Sequence, residues 1–330
     1  MNAFALVEAP DHVCCRYRIR AFEPAFRAQG GSLQIEALRR GPIARIQQFS
    51  RLGGFDAIIV QRRLLPGWQL SVLRRFSRRL IFDFDDAVYH RDSYHPRGIV
   101  SRSRARRFAQ IVRAADVVIA GNDFLARGAI RAGAGATSVR MIPTCIDYLR
   151  YLRPEHEAIR EGLELVWVGS SSTLQGLQRS KELWHRLAIA IPNLRLRQIS
   201  DRFCELDPMT VIKVDWSEAT EANEIMKGDI GVSWVPDDEW SRGKCGLKVL
   251  QYQASSIPVI ANSVGVHSLM IEDGISGFLA DSEQQWVEAV RALSDPARRE
   301  AMGRAGRANV ETHYSIPRWA PEFLRALAGC

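Results

Sequence analysis

Two α/β domains in tandem, each a parallel sheet with helices on both faces, are what the sequence predicts. Three observations carry this. The chain has 330 residues, which at roughly 100–200 residues per domain makes two. Short apolar runs alternate with helical-period segments throughout, the signature of βαβ units. The pattern fails once, in PTCIDYLRYLRPEHEAIREG (143–162), where Pro143, Pro154 and a polar run precede a fresh start at LELVWVG (163–169).

The first strand is Phe4–Val7, followed by a helical stretch in which Ile19, Phe22 and Phe26 share a face and Gly30-Gly31 closes it. Leu33–Ala37 is the second strand, leading to a helix near Ile43–Leu52. DAIIVQ (56–61) is the third, then a helix from Trp68 to Arg79. LIFDFDDAVYH begins the fourth at Leu80, and an Arg-rich helix spans 101–115. DVVIAGN (116–122), a helix through Arg131 and the strand VRMIP complete six units, one doubly wound domain. In the second half, SSSTLQGL after the 163–169 strand opens a helix that Ser170, Ser171, Ser172 or Thr173 can cap. Strands follow at Leu194–Ile199, Val211–Val214, Asp229–Val235, Pro258–Ala261 and Gly277–Ala280. The C-terminal stretch reads as two helices broken at Pro317.

An apolar fraction of 46% and a charged fraction of 25% are ordinary for a soluble globular protein. No apolar run approaches the ~18 residues of a membrane span. MNAFALVEAPDH enters a strand with no basic-then-apolar leader, so the expected location is cytoplasmic. The six cysteines, Cys14, Cys15, Cys145, Cys204, Cys245 and Cys330, form no CxxC pair, and reduced thiols are expected. Charge is unevenly shared: residues 1–150 hold 25 Arg, no Lys and 12 acids, a net of +13, and the remainder is net −5. An anionic partner for the first half is one reading, and an ordinary solvated face of an Arg-rich protein is the other. Arg74, Arg75, Arg78 and Arg79 on one helix face, with Arg102, Arg104, Arg106 and Arg107, point to an anionic membrane surface rather than nucleic acid.

The stretch richest in chemistry is WSRGKCGLKVLQYQASSIPV (240–259). Arg242, Lys244 and Lys248 stand beside Gly243 and Gly246 just before an apolar helical run. A basic, glycine-containing turn at a helix N-terminus suits an anion, because unpaired N–H groups and the helix dipole point at it. Gly169 and Ser170–Thr173 open a second such helix. In tandem doubly wound domains ligands bind outside the carboxyl ends of the strands, here a cleft between the domains. Two helix ends and three cations there predict a diphosphate, held by Gly169, Ser170, Ser172, Thr173, Arg242, Gly243, Lys244, Cys245, Gly246, Leu247 and Lys248. Cys245, with no base beside it, is read as packing rather than nucleophile.

No Walker A or G-x-G-x-x-G motif is present, which argues against ATPase and NAD chemistry. At DFDDA three readings stay open: Asp85 and Asp86 as base or orienting groups, a D-x-D clamp for a divalent ion, or carboxylates that cap a helix or pair with arginines. With the phosphate charge already covered, no metal or other cofactor is required. Val214 and Trp216 are placed to frame a base, with packing the other reading of Trp216; Arg16 and Arg18 are read as acceptor contacts or as surface salt bridges, His90 as a sugar or acceptor contact, and His267 as a sugar contact or a satisfied loop histidine.

From Asp229 to Ala280 the chain resembles the donor-binding region of glycosyltransferase family 4, of GT-B architecture. The resemblance rests on Ala254, Ser255, Pro258 and Val259, on Gly265, and on Asp273–Gly274 with Gly277–Phe278. It is similar to a branch with R-G-K-C-G in the turn and L-Q-Y in the helix, and it matches that branch also at FDFDDA, VIAGN, P-T-x-I-D (143–147) and V-G-S-x-S-T (168–173). This implies two Rossmann-like domains facing each other across a cleft: an acceptor-side domain at 1–150, a donor domain at 151–312, and a helix at 313–330 crossing back to the first. It implies transfer from a nucleotide-diphosphate sugar to a saccharide or lipid-linked hydroxyl, usually with retention and without a metal. Cell-surface polysaccharide or lipopolysaccharide synthesis at the inner membrane face is the usual setting. The family's paired glutamates fall at Gly243 and Gln251, and its histidine near Asp85. Gln251 is left to hold ribose, and Lys244, Arg242 and the Ser170–Thr173 helix end to hold phosphate. Asp85, Asp86 and Lys244 are the expected catalytic residues. A nucleotide-sugar epimerase and a non-catalytic scaffold are the rival readings.

Overall fold

The structure, a computed structural model, describes residues 1–152 and 162–329. The interdomain boundary predicted at 143–162 therefore lies partly outside the described residues, Pro154 with it, as does Cys330. The chain forms two compact units: Met1–Cys145 with Asp238–Cys245 and Ile316–Cys330, and Ile146–Asp237 with Gly246–Ser315. Residues 238–245, expected in the second domain, thus pack as part of the first.

In the first unit six parallel strands run β1 Asn2–Val7, β2 Ser32–Ala37, β3 Ala57–Gln61, β4 Leu80–Phe84, β5 Val117–Ala120 and β6 Val139–Met141, in the order β2-β1-β3-β4-β5-β6. Alternate residues feed two cores, because successive side chains leave a strand on opposite faces. Phe4, Leu6, Ile58, Val60, Phe82, Phe84 and Val118 enter one, where Phe84 meets Phe108 edge-on with ring centroids 5.2 Å apart. Ala3, Ala5, Ile59, Ile81 and Ile119 enter the other, which the last helix, Ile316–Ala328, completes by stacking Phe323 on Phe22. Burial on both faces is why these strands read as continuous apolar runs. The break between the last two helices falls at Tyr314–Ser315, not at Pro317. Proline lacks an N–H that the first helical turn does not use, so Pro317 starts the helix instead of ending one.

The second unit carries β7 Glu164–Val168, β8 Arg195–Ser200, β9 Thr210–Asp215, β10 Ile230–Ser233, β11 Val259–Ala261 and β12 Gly277–Leu279, ordered β12-β11-β10-β7-β8-β9. Read from the opposite edge this is the 3-2-1-4-5-6 order of dinucleotide-type sheets, with its switch point between β7 and β10. Trp167, Trp184 and Trp286 anchor its core. Tyr252 pins the helix Leu247–Ala254 to that switch point: its hydroxyl accepts from Val168 N at 3.0 Å and donates to Val232 O at 3.4 Å. A Cβ on Gly231 would overlap the Tyr252 ring, so this glycine makes room for it. Among the described residues no helix is long and apolar enough to cross a membrane.

Candidate functional site

In the first unit the chemistry collects where β3 and β4 end. Arg62 follows β3 with φ of 59°, a left-handed conformation that costs a side-chain-bearing residue energy and is kept where the surroundings demand it. Its guanidinium reaches Asp85 at 3.1 Å and Asp86 at 2.6 Å, both just past β4, and it also touches the Cys14 thiol. Burial raises the Asp85 carboxyl, but Arg62 and then Arg18 outweigh it and hold it below the usual range. Asp86 ends above its ordinary value: burial and the neighbouring Asp85 charge outweigh the pull of Arg62 and Lys244. Two carboxylates sharing one guanidinium separate in this way, and Asp86 is the one able to take up a proton.

The basic turn is seated in this same unit. Asp238 caps the short helix Glu239–Arg242 by accepting from Ser241 N at 2.8 Å, and Ser93 donates to Asp238 at 3.1 Å. His90 Nε2 lies 2.7 Å from Glu239. Asn122, the N-cap of the helix Asp123–Arg131, accepts from Leu125 N and turns its amide N–H onto Gly243 O at 3.2 Å and Lys244 O at 3.0 Å. A Cβ on Gly243 would come within 2.7 Å of the Ala87 Cβ, so only glycine lets the turn lie this close to the end of β4. Lys244 then sits with its ammonium 5.7 Å from the Trp240 ring centroid and near enough to lower the Asp86 carboxyl. Cys245 is buried, and burial followed by the Asp85 charge pushes its thiol far up, which makes it a packing residue. Arg242 is exposed.

Arg18 takes a different place from the acceptor contact expected of it. It is buried against Asp83 inside β4, with Nη2 at 2.5 Å from Oδ1, and Nη1 donates to Ile142 O at 2.5 Å. A carboxylate inside a strand needs such a partner. Arg16 is buried and lies over Tyr17, again away from solvent. Arg74, Arg75, Arg78 and Arg79 do not act as one face: Arg74 pairs with Asp116 at 2.8 Å and donates to Ser77 O, Arg78 lies 3.8 Å from Asp56, and Arg75 is exposed.

In the second unit the helix Ser171–Arg179 begins after Gly169 with Ser170 as N-cap. Ser170 and Ser172 hydroxyls are 2.7 Å apart, and Thr173 donates to Ser170 O. Asp201, unremarked in the sequence, accepts from Ser171 N at 2.6 Å; this bonding lowers its carboxyl and puts a negative charge where an anion was expected. Gly246, at φ 63°, is the N-cap of the helix Leu247–Ala254, and Lys248 lies over the Trp167 ring at 4.5 Å. Gln251 is buried and donates to Tyr151 Oη at 3.2 Å. Val214 lies near the end of β9, and Trp216, half-exposed, donates to Glu221 at 2.8 Å. His267, expected on the sugar, is buried with Nε2 at 3.0 Å from Ser233 Oγ and Nδ1 at 2.9 Å from Asn262 O. Those bonds fix the turn after β11.

Of the residues sequence reasoning missed, Asn122 had a signal: it ends VIAGN, a motif noted without a role. Arg62 and Asp201 had none.

Comparison with known proteins agrees with this picture. Residues 191–325 match a family described as glycosyl transferase-like. A D-inositol 3-phosphate glycosyltransferase of Arthrobacter sp. (strain FB24) is 44% identical over 63 residues, 18% of this chain and 15% of that relative's length. Anabaena HepE, solved in complex with UDP and glucose, superposes with a TM-score of 0.70 at 14% identity, covering 100% of this chain and 99% of that one. Sucrose-phosphate synthase from Thermosynechococcus elongatus gives 0.75 at 17%, covering 98% of each. At these identities the superpositions speak for the fold, which is GT-B. Residues 191–325 are thus similar to a glycosyl transferase-like family, on a chain of two parallel α/β units with the GT-B fold.

Proposed function

We propose that this protein is a glycosyltransferase that moves a sugar from a nucleotide-diphosphate sugar to a hydroxyl of a saccharide or lipid-linked acceptor in cell-surface glycan synthesis. The observation that carries the reading is the Asn122 clamp, which seats the basic Gly243–Lys244 turn on the unit that holds Asp85 and Asp86. A cation for the leaving diphosphate and a carboxylate able to accept a proton are then fixed by one rigid set of elements. Lys244 takes the phosphate; Asp86 receives the acceptor proton; Asp85, held ionised by Arg62, orients the reacting sugar. The helix starting at Leu247 adds its N-terminal N–H groups. Retention follows the resemblance. Metal independence is favoured because Arg62 already engages both carboxylates that a divalent ion would need.

The test is a thermal-shift panel of UDP-, GDP-, ADP-, TDP- and CMP-sugars. A true donor at 100 times its Kd stabilises the folded state by about 2.7 kcal/mol. One nucleotide class is expected to raise the midpoint; a flat response across all five would overturn the reading.

We also propose peripheral association with an anionic membrane face, supported by the arginine excess of the first 150 residues and by the exposed Arg75, Arg78, Arg102, Arg106 and Arg107. Each cation near such a surface contributes roughly 1 kcal/mol. Charge reversal at Arg75 and Arg78 is expected to weaken cosedimentation with anionic vesicles at least tenfold, and unchanged sedimentation would count against this.

A further inference from the structure

We propose that the first unit carries an oxyanion pocket at the amino edge of its sheet, at the opposite end of β4 from Asp85 and Asp86. A cavity of about 230 Å³ opens where β4, β5 and β6 begin, lined by Arg79, Asp116, Thr137, Ser138, Arg140 and Arg325 among others. Three guanidiniums face it against one carboxylate. That carboxylate is already answered, since Asp116 pairs with Arg74 at 2.8 Å and accepts from Leu80 N at 2.7 Å. Among the described residues Arg140 donates to carbonyls of its own turn, Thr137 O and Val139 O, and Arg325 makes an exposed pair with Glu322 on its own helix. Exposed pairs of that kind are weak and exchange readily.

The remaining cation is the telling one. Arg79 precedes β4, and its Nε is buried with no hydrogen-bond partner among the described residues. Buried donors are ordinarily hydrogen-bonded, so this one is open to a partner that completes it. Gly329 lets the guanidinium lie where it does, because a Cβ there would overlap Arg79. Planar guanidinium forks beside Thr137 and Ser138 hydroxyls recognise a tetrahedral oxyanion. The cavity exceeds the volume of one phosphate, so the ligand class is a phosphomonoester or diphosphate with a few atoms of its carrier. That phosphate comes either from a soluble phosphorylated compound or from a lipid headgroup. Neither source depends on the glycosyl-transfer reading, because no lining residue belongs to the candidate site.

Calorimetric titration of the full chain with inorganic phosphate, pyrophosphate and glycerol 3-phosphate is the soluble arm. Vesicles of phosphatidic acid in phosphatidylcholine, against phosphatidylcholine alone, are the lipid arm. Saturable binding of one ligand per chain is expected in at least one arm, weakened tenfold or more by Arg79→Gln with Arg140→Gln and unchanged by Arg304→Gln, at an exposed position of the second unit. Vesicle binding that glycerol 3-phosphate displaces assigns the pocket to a headgroup; soluble binding without vesicle binding assigns it to a free phosphate compound. Should the double variant fail to fold, Arg140→Glu at an exposed position must abolish the binding by itself. The proposal falls if neither arm binds, if binding ignores Arg79 and Arg140, or if it is lost with Lys244→Ala instead.

Discussion

Asp83→Asn is expected to destabilise the first unit by about 3–5 kcal/mol, the usual cost of removing one partner from a buried ion pair. Arg18 and Asp83 have side-chain exposures of 2% and 0%, and their closest atoms are 2.5 Å apart. Burial opposes the Arg18 charge, but the adjacent Asp83 carboxylate more than compensates and holds the guanidinium charged above its ordinary range. With position 83 neutral, that charge stays buried with an amide oxygen, Ile142 O and more distant acids to answer it. Arg18→Met combined with Asp83→Leu removes both charges and is expected to recover most of the loss, because well-packed apolar side chains replace such pairs at little cost. Hydrogen exchange at the β4 amides in increasing urea measures the first unit separately, which a chain of two units requires. Asp83→Asn within 1 kcal/mol of the parent would show that the pair carries no such weight.

The same pair shows where sequence reading stops. All twelve strands among the described residues were legible, because a parallel sheet buried on both faces imposes continuous apolar runs such as AIIVQ and ELVWV. Tertiary pairing was not. Arg18 and Asp83 lie 65 positions apart, and an arginine destined for a buried carboxylate looks the same in sequence as one that meets a ligand. His267 failed similarly, since its partners Ser233 and Asn262 come from the ends of two other strands. The R-G-K-C turn was legible as a cluster of cations but not as a location. Its neighbours in sequence belong to the second unit, whereas Asn122, 121 and 122 positions away, holds its carbonyls in the first. What the glycine in that turn is for also needed coordinates: with no Cβ at Gly243 the backbone can approach Ala87.

Lys244→Ala is expected to lower kcat/KM for the nucleotide sugar by roughly 10²–10³, the scale of losing one preorganised group that stabilises developing charge. Lys244 has no function in the core: its side chain is half-buried and rests near Trp240, so the variant should fold with a midpoint close to the parent's. Its backbone is fixed by Asn122, so the ammonium is held in place before the donor arrives. Lys244→Arg is expected to recover part of the loss, since phosphate accepts either cation though at different reach. Asn122→Ala tests the clamp separately. Freeing the Gly243 and Lys244 carbonyls is expected to lower kcat more than it raises KM, because the turn still carries its charge but no longer holds its position. Asp86 adds a pH signature of definite sign. Its carboxyl is held above the ordinary value, so as a base it works only once deprotonated, and activity should fall on acidification through a point above the usual carboxylate range. Removing the Lys244 charge takes away one of the two cations that lower this carboxyl, so in Lys244→Ala the acid limb should move to still higher pH. An acid limb that stays put, with kcat/KM within threefold of the parent, would separate Lys244 from both the phosphate and Asp86 and leave the basic turn as a packing element.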